Sequence, residues 1–398
     1  MDFDKASRIL VTCGPGLAPW LEGELGDLGY ARCGAHKGGV ELEGTLVDAM
    51  RLNLHLRTAY NVLYLLKAFR CNGPDRLYRE VGAIGWEDII SPAGYLSVVS
   101  RVDDPSIKNT MFANLKVKDA IVDRIYKHTR RRPDSGKDRH RVVVNLYWSK
   151  GRAWLYLNTS GVKLSDRGYR KMPYKAPLRE SLAAGILMAT GYEGQGPLVL
   201  PMCGSGTLAI EAALMGLARS PGLLRGNFAF MHVKGFAKDA WQQLRREARK
   251  EGSKSLGGRI IASDISEGAI EAARKNALTA GVDHLIDFDV CDFADTAAPE
   301  GEGIVLLNPE YGERLGQESE LEGTYKRIGD WFKQSCTGYT GYIFTGNPAL
   351  AKKVGLRTSR RIEFYNGDIE CRLLKYELYA GSVKARREGG GEDSVKNS

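Results

Sequence analysis

The chain contains Pro197-Leu198-Val199-Leu200-Pro201-Met202-Cys203-Gly204-Ser205-Gly206-Thr207, in which a short apolar run leads into a glycine-rich turn. The apolar run predicts a buried strand, and the apolar spacing after it predicts a helix over 207–218. Glycines at such a turn let backbone N–H groups approach a ligand closely, and Gly204 and Gly206 fill that position. A tight turn that binds nothing is an equally good interpretation of this stretch alone. A phosphate-binding loop of the P-loop type is not favoured, because no Gly-Lys-Ser/Thr follows.

Aspartates follow the next two predicted strands. Asp264 and its neighbour Ile265 come after the run 259–263, and an acidic residue there can accept hydrogen bonds from both hydroxyls of a ribose. Asp292 follows 285–290, where a carboxylate can accept a hydrogen bond from an adenine amine. Each aspartate alone is more often a helix cap or a turn residue. Together with the glycine-rich turn they place suitable chemistry at three strand ends on one edge of a sheet, which predicts a cofactor site.

The apolar spacing from Leu178 onward alternates between helical and strand periods. Helices are predicted at 178–190, 207–218, 267–280 and near 321–335, and strands at 197–200, 259–263, 285–290, 303–307, 340–345 and 371–379. This alternation predicts an α/β fold with a doubly wound, mainly parallel sheet. Asp264 lies 58 residues after Gly206. That is much farther than the ~20 residues of a dinucleotide-binding fold, so a separate insertion is expected at about 219–257.

The turn Asn308-Pro309-Glu310-Tyr311 follows a second apolar run, 303–307. The Asn308 side-chain oxygen and the Pro309 carbonyl are suited to accept hydrogen bonds from an NH2 group on a planar target, and the Tyr311 ring to stack on a splayed-out base. Two such acceptors favour a pyramidal nitrogen and disperse the positive charge that develops during methyl transfer. An ordinary Asn-Pro turn is the alternative for this segment on its own. Beside a site for S-adenosylmethionine (SAM), it predicts a catalytic turn.

The first 160 residues predict α+β modules with an excess of basic residues. Strands are predicted at 8–12, 39–43, 95–102, 141–147 and 153–158, and helices at 17–28, 46–56 and 114–127. The segment 124–141 holds eight cationic residues against two acidic ones, and among the eight are Arg124, Lys127, Arg130, Arg131 and Arg132. A phosphate-contacting rim and a solvated loop are equally good interpretations of this segment.

Composition and charge restrict the class of protein. The chain has 398 residues, 43% hydrophobic and 26% charged, which is typical of a soluble globular protein with two or more domains. No apolar run approaches the ~18 residues of a membrane helix, and no signal peptide is predicted. The seven cysteines are scattered without a CxxC pair, so we expect neither a disulfide framework nor a metal site, and we expect a cytoplasmic location. The net charge of +9 favours a polyanionic partner.

Several longer motifs resemble those of one known family. They are the helix at 115–123, the connector at 160–170 and 176–180, the insertion at 221–230 and the loop at 308–315, and together they extend over nearly the whole chain. These motifs resemble THUMP-domain class I SAM-dependent RNA methyltransferases, most of all the bacterial enzymes that methylate guanine N2 in 23S rRNA. The resemblance implies a ferredoxin-like module at 1–70, a THUMP RNA-binding domain at 71–160, a connector at 161–177 and a Rossmann-like methyltransferase domain at 178–381. The Gly-rich, charged end of the chain predicts a disordered tail at 382–398.

The resemblance also implies roles for individual residues. The glycine-rich turn would line the methionine and ribose region of SAM, Asp264 would hold the ribose and Asp292 the adenine. Asn308, Pro309 and Tyr311, with Glu310, would form the guanine pocket. The implied cofactor-binding residues are Pro201, Met202, Cys203, Gly204, Ser205, Gly206, Thr207, Asp264, Ile265, Asp292 and Asn308. The implied RNA-binding residues are Lys116, Lys118, Arg124, Lys127, Arg130, Arg131, Arg132, Arg167 and Arg170.

Two residues depart from the pattern of that family. The family usually has an acidic residue at the position of Leu200, where it helps to hold the methionine amino group, and a second proline at the position of Glu310. The leading hypothesis is SAM-dependent N2-methylation of a guanine in 23S rRNA. Methylation of a tRNA guanine is an alternative, because THUMP modules in other enzymes dock tRNA. The two departures keep open a non-catalytic RNA-binding or ribosome-assembly role.

Overall fold

The structure is a computed structural model, and it describes residues 4, 6–36, 38–107, 109–172, 174–175, 177–311 and 318–379. For residues 35, 36 and 318–320 the description covers the backbone alone. The predicted disordered tail at 382–398 and the end of the predicted catalytic loop, 312–315, lie outside the described residues. None of the described helices has the length and apolar character needed to span a lipid bilayer.

The chain forms two compact units, and neither is continuous in sequence. Unit 1 comprises Met1–Arg170, Arg179–Gly185 and Leu217–Lys254, and unit 2 comprises Lys171–Leu178, Ile186–Gly216 and Ser255–Ser398. The insertion predicted at about 219–257 corresponds to the last segment of unit 1. It therefore folds with the N-terminal half of the chain, although the sequence on both sides of it belongs to unit 2.

Unit 1 is built on one eight-stranded sheet. Its strands are β1 (Ser7–Cys13), β2 (Gly34–His36), β3 (Gly39–Gly44), β4 (Ala59–Arg70), β5 (Tyr95–Asp103), β6 (Asp134–Ser135), β7 (Val142–Ser149) and β8 (Arg152–Asn158). Their order across the sheet is β2-β3-β1-β4-β8-β7-β5-β6. The strand β4, which was not predicted, pairs with β1 on one side and with β8 on the other. Its backbone therefore joins the two predicted α+β modules into a single sheet.

Ten α-helices lie in the described part of the chain. They are α1 (Ala18–Asp27), α2 (Leu46–His55), α3 (Pro74–Gly82), α4 (Thr110–Thr129), α5 (Glu180–Thr190), α6 (Thr207–Gly216), α7 (Lys238–Glu251), α8 (Glu267–Ala280), α9 (Glu318–Ser335) and α10 (Pro348–Lys353). Local capping fixes several of their ends. The Thr45 and Asp48 side chains form a capping box at the start of α2, and Asn109 caps α4 by accepting a hydrogen bond from the Met111 N–H.

The insertion contributes to the core of unit 1. Phe228, Phe230 and Trp241 form an aromatic cluster, with ring centroids 5.2 Å apart for the two phenylalanines and 5.4 and 5.0 Å from each to the tryptophan. Helix α7 packs against α2. Gly222 also lies directly on the α2 backbone, because a Cβ at this position would be 2.7 Å from the carbonyl oxygen of Asn53. Since all three aromatic residues are at most 4% exposed, the insertion is part of the folded body of unit 1.

Unit 2 is built on a seven-stranded sheet. Its strands are β9 (Leu198–Pro201), β10 (Ile260–Asp264), β11 (Ile286–Val290), β12 (Ile304–Leu307), β13 (Thr340–Thr345), β14 (Arg360–Asn366) and β15 (Ile369–Glu377), in the order β11-β10-β9-β12-β13-β15-β14. The first five strands are parallel, and β15 runs antiparallel to β13 and β14. The predicted doubly wound, mainly parallel sheet is confirmed.

The central strands of unit 2 are apolar because they lie between two layers. β9 is buried along its whole length, and so is β12 apart from its first residue. Strands covered on both faces have near-continuous apolar sequences of this kind. Val199, Val305 and Leu307 belong to one core cluster with Trp331 of α9 and Ile343 of β13. This packing fixes the ends of β9 and β12, from which the two predicted functional turns start.

Candidate active site

The two predicted functional turns lie at the point where the strand order of unit 2 reverses. From β9 the sheet continues through β10 and β11 in one direction and through β12 and β13 in the other. The connections after β9 and β12 therefore leave the sheet on opposite sides, which opens a crevice at the carboxyl ends of these strands. Residues 202–207 follow β9, whose last residue is Pro201, and Asn308–Tyr311 follow β12. The sheet topology thus brings the cofactor half and the chemistry half of the predicted site together.

The glycine-rich turn adopts a backbone that ordinary residues rarely take. Met202, Gly204 and Gly206 all have positive φ angles, of 57°, 55° and 82°. A Cβ at Gly206 would lie 2.9 Å from the Cβ of Ala273, so a larger residue would displace α8, whereas a Cβ at Gly204 would meet nothing within 4 Å. The open space at Gly204 and the N-terminus of α6 behind it are the features that close approach of a ligand requires.

Asp264 holds the glycine-rich turn in place. Its Oδ2 accepts a hydrogen bond of 2.9 Å from the Gly204 N–H, and its Oδ1 accepts one of 3.0 Å from the Ser266 N–H. A carboxylate has about four acceptor positions, so capacity remains for ribose hydroxyls. The residue predicted to bind the ribose therefore also sets the conformation of the turn predicted to bind the rest of the cofactor.

Two further predicted cofactor residues lie at the ends of β10 and β11. Ile265 is 74% exposed, which is unusual for an isoleucine beside a buried strand and provides an apolar surface for a planar group. Asp292 accepts hydrogen bonds at Oδ1 from the Ala294 N–H at 2.9 Å and from Arg327 at 2.7 Å. Its Oδ2 has no hydrogen-bond donor among the described residues and can still accept one.

Cys203 does not supply a nucleophile. Burial raises the pKa of its thiol, and the negative charge of Asp264 raises it further. The thiol therefore stays protonated at neutral pH, and the thiolate form that reacts in cysteine enzymes is not populated. Leu200, two positions before the turn, is 1% exposed and belongs to the core.

The turn after β12 carries acceptors that no described residue satisfies. The Oδ1 atom of Asn308 is buried, and no described residue donates a hydrogen bond to it. The Pro309 carbonyl likewise receives none from the described residues. A buried acceptor without a donor costs about 1–3 kcal/mol, so native proteins rarely retain one without a reason. Both unsatisfied oxygens are those that the sequence predicts to bind an NH2 group.

Tyr311 is positioned by the hairpin β14–β15. Its hydroxyl accepts a hydrogen bond of 2.8 Å from the side chain of Asn366. Gly346 makes room for the ring, because a Cβ there would lie 3.0 Å from the Cδ2 of Tyr311. The ring predicted to stack on a base is therefore held at a fixed place by residues that the sequence did not single out.

A short part of the connector runs across the ends of β10 and β12. The Tyr174 hydroxyl lies 2.8 Å from the Oγ of Ser266, which caps α8 next to Asp264. The Lys175 Nζ lies 3.8 Å from a carboxylate oxygen of Glu310, and both side chains are more than 70% exposed. Lys175 also has a φ of 36°, a strained value for a residue with a side chain. The connector thus contacts both halves of the candidate site.

Asn276 holds the preceding residues of the connector, Lys171 and Met172, and it was not predicted from the sequence. Its Oδ1 accepts hydrogen bonds from the N–H groups of Lys171 and Met172, at 3.0 and 2.9 Å. Its Nδ2 donates to the carbonyls of Met172 and Ser205, at 2.9 and 3.2 Å. Asn276 is 1% exposed, so this one carboxamide joins the connector to the glycine-rich turn. The sequence signal that could have revealed Asn276 is its place as a polar residue on the apolar face of α8.

The predicted RNA-binding residues of unit 1 fall into three groups. Lys127, Arg130 and Arg131 are exposed at the end of α4, and no described carboxylate pairs with them. Lys116, Lys118, Arg124 and Arg132 are partly or largely exposed but pair with Asp75, Asp119, Glu87 and Asp123 in turn. Arg167 and Arg170 are mostly buried. The exposed end of α4 is therefore the best candidate for phosphate contacts in this set.

The prediction that Arg167 contacts RNA is wrong. This side chain is 1% exposed, and its guanidinium donates hydrogen bonds to the backbone carbonyls of Leu164 and Arg57. Arg170 is less deeply buried, with 15% of its side chain exposed, and pairs with Glu180 at 3.0 Å. Both arginines belong to the folded body of unit 1. Composition alone could not distinguish such internal cations from a surface rim.

In the part of the chain that the structure describes, no group of three or more His, Cys, Asp or Glu side chains is arranged to hold a metal ion.

Comparison with known protein families finds matches along most of the chain. Residues 167–375 match the family described as the RMKL-like methyltransferase domain. The chain belongs to this family. Residues 8–63 match the RlmL ferredoxin-like domain, and residues 72–158 match the THUMP domain. The predicted ferredoxin-like and THUMP modules and the Rossmann-like methyltransferase fold are thereby confirmed.

Individual relatives of this RMKL-like methyltransferase agree with that assignment. It is 38% identical over 386 residues to ribosomal RNA large subunit methyltransferase K/L of Syntrophotalea carbinolica, covering 94% of this chain and 54% of that protein. It is 35% identical over 378 residues to slr0064 of Synechocystis sp., whose name describes a candidate RNA methyltransferase, covering 95% of this chain and 98% of that protein. The chain spans about half the length of the K/L relatives.

A solved structure shares the whole fold of this RMKL-like methyltransferase. SMU.472, described as a candidate methyltransferase complexed with SAH, aligns with a TM-score of 0.86 at 26% identity and covers 96% of this chain and 100% of that one. Both units are therefore represented in the match.

Proposed function

We propose that this protein is a SAM-dependent methyltransferase that transfers a methyl group to N2 of a guanine in 23S rRNA. The observation that carries the proposal is a pair of acceptors at the strand end next to the glycine-rich turn, Asn308 Oδ1 and the Pro309 carbonyl, to which no described residue donates a hydrogen bond. An exocyclic amine on a base offers two N–H donors, which matches two acceptors on adjacent residues. The names of the K/L relatives support large-subunit rRNA as the substrate.

The residues present fit SAM. Open space at Gly204 and the left-handed backbone of the turn allow close approach by the methionine and ribose part. Asp264 keeps acceptor capacity for ribose hydroxyls, Ile265 offers an exposed apolar face for the adenine ring, and Asp292 Oδ2 can accept a hydrogen bond from the adenine amine. SAM supplies a methyl group bonded to a positively charged sulfur, and that charge makes the methyl carbon electrophilic. The relative crystallised with SAH supports the same cofactor class.

The protein contributes orientation and acceptors to the transfer. The guanine N2 lone pair is conjugated with the ring and is a poor nucleophile. Hydrogen bonds from its two N–H groups to Asn308 and Pro309 would hold the nitrogen in a pyramidal geometry and stabilise the positive charge that develops there. With SAM bound, its methyl carbon would bond to N2 as the bond from that carbon to sulfur breaks, and one N2 proton would then pass to solvent. Orientation supplies most of the rate enhancement in such an in-line displacement.

Tyr311 and the basic end of α4 would hold the RNA. A guanine can enter such a pocket only when it leaves its base stack, and an aromatic ring stabilises the extruded base. The hydrogen bond from Asn366 keeps the Tyr311 ring in one place, so the ring does not have to be ordered when the base arrives. Lys127, Arg130 and Arg131 are exposed for sequence-independent contacts with phosphates.

The test is the content of N2-methylguanosine in RNA. We expect 23S rRNA from a strain lacking this protein to lose one such nucleoside, and the wild-type protein to restore it. Complementation with an Asn308→Ala variant should fail, although the variant is expressed at the wild-type level. An unchanged nucleoside content in the deletion strain would exclude the proposal. Loss from tRNA with intact 23S rRNA would instead identify tRNA as the substrate.

A further inference from the structure

The insertion at 219–254 carries much of the charge of the whole protein. It holds nine lysines and arginines against three acidic residues, which gives +6 of the total net charge of +9. The described interactions of unit 1 account for some of these cations. Arg225 packs on the ring of Phe228 at 4.8 Å, and the Lys234 Nζ donates to the Glu87 carbonyl at 2.6 Å. On helix α7, Arg245 likewise packs over the ring of Trp241 at 5.9 Å, whereas Arg246, Arg249 and Lys250 are exposed.

Helix α7 has one apolar side and one basic side. Trp241 and Ala248, seven positions apart, are 4% and 1% exposed and face the body of unit 1. Arg246, Arg249 and Lys250 are exposed, and their i, i+3 and i+4 spacing places them together on the outer side of the helix. We call these three residues the basic face of α7. Its position is fixed because the opposite side of the helix is used in packing.

The basic face of α7 is not neutralised by the acidic residues of the helix. Among the described residues, no carboxylate lies within ion-pair distance of Arg246, Arg249 or Lys250. The nearby Glu247 instead accepts a hydrogen bond of 2.9 Å from Gln243. Three cations held together without counter-charges repel one another, so a solvated anion or a polyanion near them is favoured.

The insertion is tied to the THUMP part of unit 1 as well as to α2. The Lys234 N–H donates to the Ile89 carbonyl at 2.9 Å, and the Asn227 side chain donates to the His140 carbonyl at 2.8 Å. His140 lies in the predicted basic segment 124–141. The basic segment 124–141 and helix α7 therefore belong to one folded unit.

We propose that the basic face of α7 binds the phosphate backbone of the RNA substrate, as a second contact surface besides the end of α4. This inference rests on the proposed RNA methyltransferase function. An amphipathic helix that binds a membrane needs a free apolar face, and the apolar side of α7 is occupied by Phe228 and Phe230. The basic face of α7 therefore suits a polyanion, which binds through charge and needs no apolar contact.

The test compares two variants that remove the same amount of charge. One is Arg246→Gln/Arg249→Gln/Lys250→Gln on α7. The matched control is Lys352→Gln/Arg357→Gln/Arg360→Gln, which removes three exposed cations of unit 2. Binding of full-length protein to protein-free 23S rRNA is measured across a range of salt concentrations. SAM affinity is measured alongside, because unchanged affinity shows that unit 2 of both variants is folded, and hydrogen exchange in β1 and β4 does the same for unit 1.

We expect the α7 variant to bind RNA more weakly and the slope of log affinity against log salt to become shallower by about 2 to 3, since each lost phosphate contact removes about 0.7–0.9. The control should change the slope far less. Equal losses in both variants would overturn the inference while leaving RNA binding intact. Failure of the wild-type protein to bind RNA would overturn the proposed function as well. Binding to vesicles of anionic lipid is measured in parallel. An α7 variant that keeps RNA binding but loses the vesicle binding of the wild type would identify a membrane as the partner instead.

Discussion

Asn308 directly follows β12, and its carboxamide oxygen is buried and has no donor among the described residues. Folding alone does not favour this arrangement, because an unsatisfied buried acceptor costs about 1–3 kcal/mol. A group retained at such a cost is typical of sites where activity and stability are in conflict. This free-energy penalty is removed only when a bound substrate donates a hydrogen bond, so Asn308 is better suited to the complex with a substrate than to the free protein.

The first prediction concerns this residue. We expect Asn308→Ala to lower kcat by about 100- to 1000-fold, the range found when one pre-positioned group is removed from a developing charge. The midpoint of thermal unfolding should stay the same or rise, since an unsatisfied acceptor is removed. Asn109→Ala is the control, because it removes a satisfied helix cap and should reduce stability by about 1 kcal/mol with turnover at saturating RNA unchanged. Wild-type turnover in Asn308→Ala would refute the assigned role.

Glu310 is the subject of a second prediction, because the family that this sequence resembles would have proline at that position. Its side chain is 71% exposed, and its 3.8 Å pair with Lys175 is of the exposed kind that contributes little. Among the described residues its N–H makes no backbone hydrogen bond, so proline removes none. We expect Glu310→Pro to be folded and to raise kcat/KM for RNA by up to about fivefold at low salt, which corresponds to roughly 1 kcal/mol for one exposed charge.

The salt dependence of this gain identifies its cause. If the Glu310 carboxylate repels RNA phosphates, the difference between the variant and the wild type shrinks as salt rises. Glu310→Gln should then give most of the gain. A loss of activity in both variants would show instead that the carboxylate takes part in binding the guanine.

Connections between elements decide how the cofactor half is held, and Asn276 is the clearest case. One carboxamide on α8 links two N–H groups of the connector to the carbonyl of Ser205 in the glycine-rich turn. We expect Asn276→Ala to raise the Kd for SAM by about 10-fold or more, equivalent to about 1.4 kcal/mol. The KM for RNA should change little. Isothermal calorimetry and steady-state kinetics measure the two quantities.

Limited digestion with trypsin provides an independent readout for Asn276. The connector contains Lys171 and Lys175, and cleavage there should be faster in Asn276→Ala than in the wild type. Thr279→Ala, an exposed position on the same helix, is the matched control and should leave both SAM affinity and cleavage unchanged. If Asn276→Ala lowers the unfolding temperature but keeps wild-type SAM affinity, the residue has only a structural role.

Helix α4 and the short helix Trp86–Asp88 are joined by a bidentate ion pair. Arg124 donates to both carboxylate oxygens of Glu87, at 3.0 and 2.6 Å, and this lowers the pKa of Glu87 from its ordinary value of 4.5 to about 2. Because the folded-state pKa is the lower one, the stabilisation is complete above about pH 4.5. It is lost as the pH falls from there toward 2.

The expected result is a pH-dependent difference in the free energy of unfolding of unit 1. Glu87→Gln should be less stable than the wild type at pH 7, and the two should converge between pH 4.5 and 2 as the wild-type carboxylate becomes protonated. Urea unfolding at several pH values measures this. Glu43→Gln, at an exposed carboxylate on β3, should show a small difference throughout. A gap for Glu87→Gln that stays constant down to pH 2 would contradict the assignment.

Local signals made some elements predictable. Helix α8 was predicted with its observed bounds, because Ser266 caps its start and Gly281, with a φ of 67°, ends it. The functional turns could likewise be found, since each directly follows an apolar strand. Strand β4 was missed because a register shift between Leu65 and Lys67 interrupts its alternation. Its pairing partners also lie far apart in sequence, so no short window contains them.

Other features depend on contacts between distant residues. The burial of Arg167 follows from carbonyls of Leu164 and Arg57, and nothing in a basic segment separates such a residue from an exposed one. The insertion was found by its length, but its membership of unit 1 depends on packing between α7 and α2. That no described residue donates to Asn308 Oδ1 could not be predicted from the sequence either, because it depends on all the residues around that atom.

At the scale of the whole molecule, the position of a residue in the sequence does not tell which unit it stabilises. Trp241 lies between β9 and β10 in sequence, yet it packs with Phe228 and Phe230 in unit 1. Trp331, which is also almost completely buried, belongs to the core of unit 2. We expect Trp241→Ala to destabilise unit 1 by about 3–5 kcal/mol and Trp331→Ala to do the same to unit 2.

Hydrogen exchange with mass spectrometry reads the two units separately. Trp241→Ala should speed exchange in β1, β4 and β8, and Trp331→Ala should speed it in β9, β12 and β13. Each variant serves as the control for the other. Faster exchange confined to unit 2 in Trp241→Ala would show that the insertion does not stabilise the N-terminal half.

The late position of the insertion in the chain has a consequence for synthesis on the ribosome. Unit 1 cannot complete its core when Arg170 emerges, because the segment that covers α2 and β7 ends only at Lys254. At about 5–20 residues per second, the roughly 80 intervening residues take roughly 4 to 16 s to add. During that interval an apolar surface of a nearly finished N-terminal half is exposed, and chaperones that bind nascent chains have a target whose lifetime is set by the rate of translation.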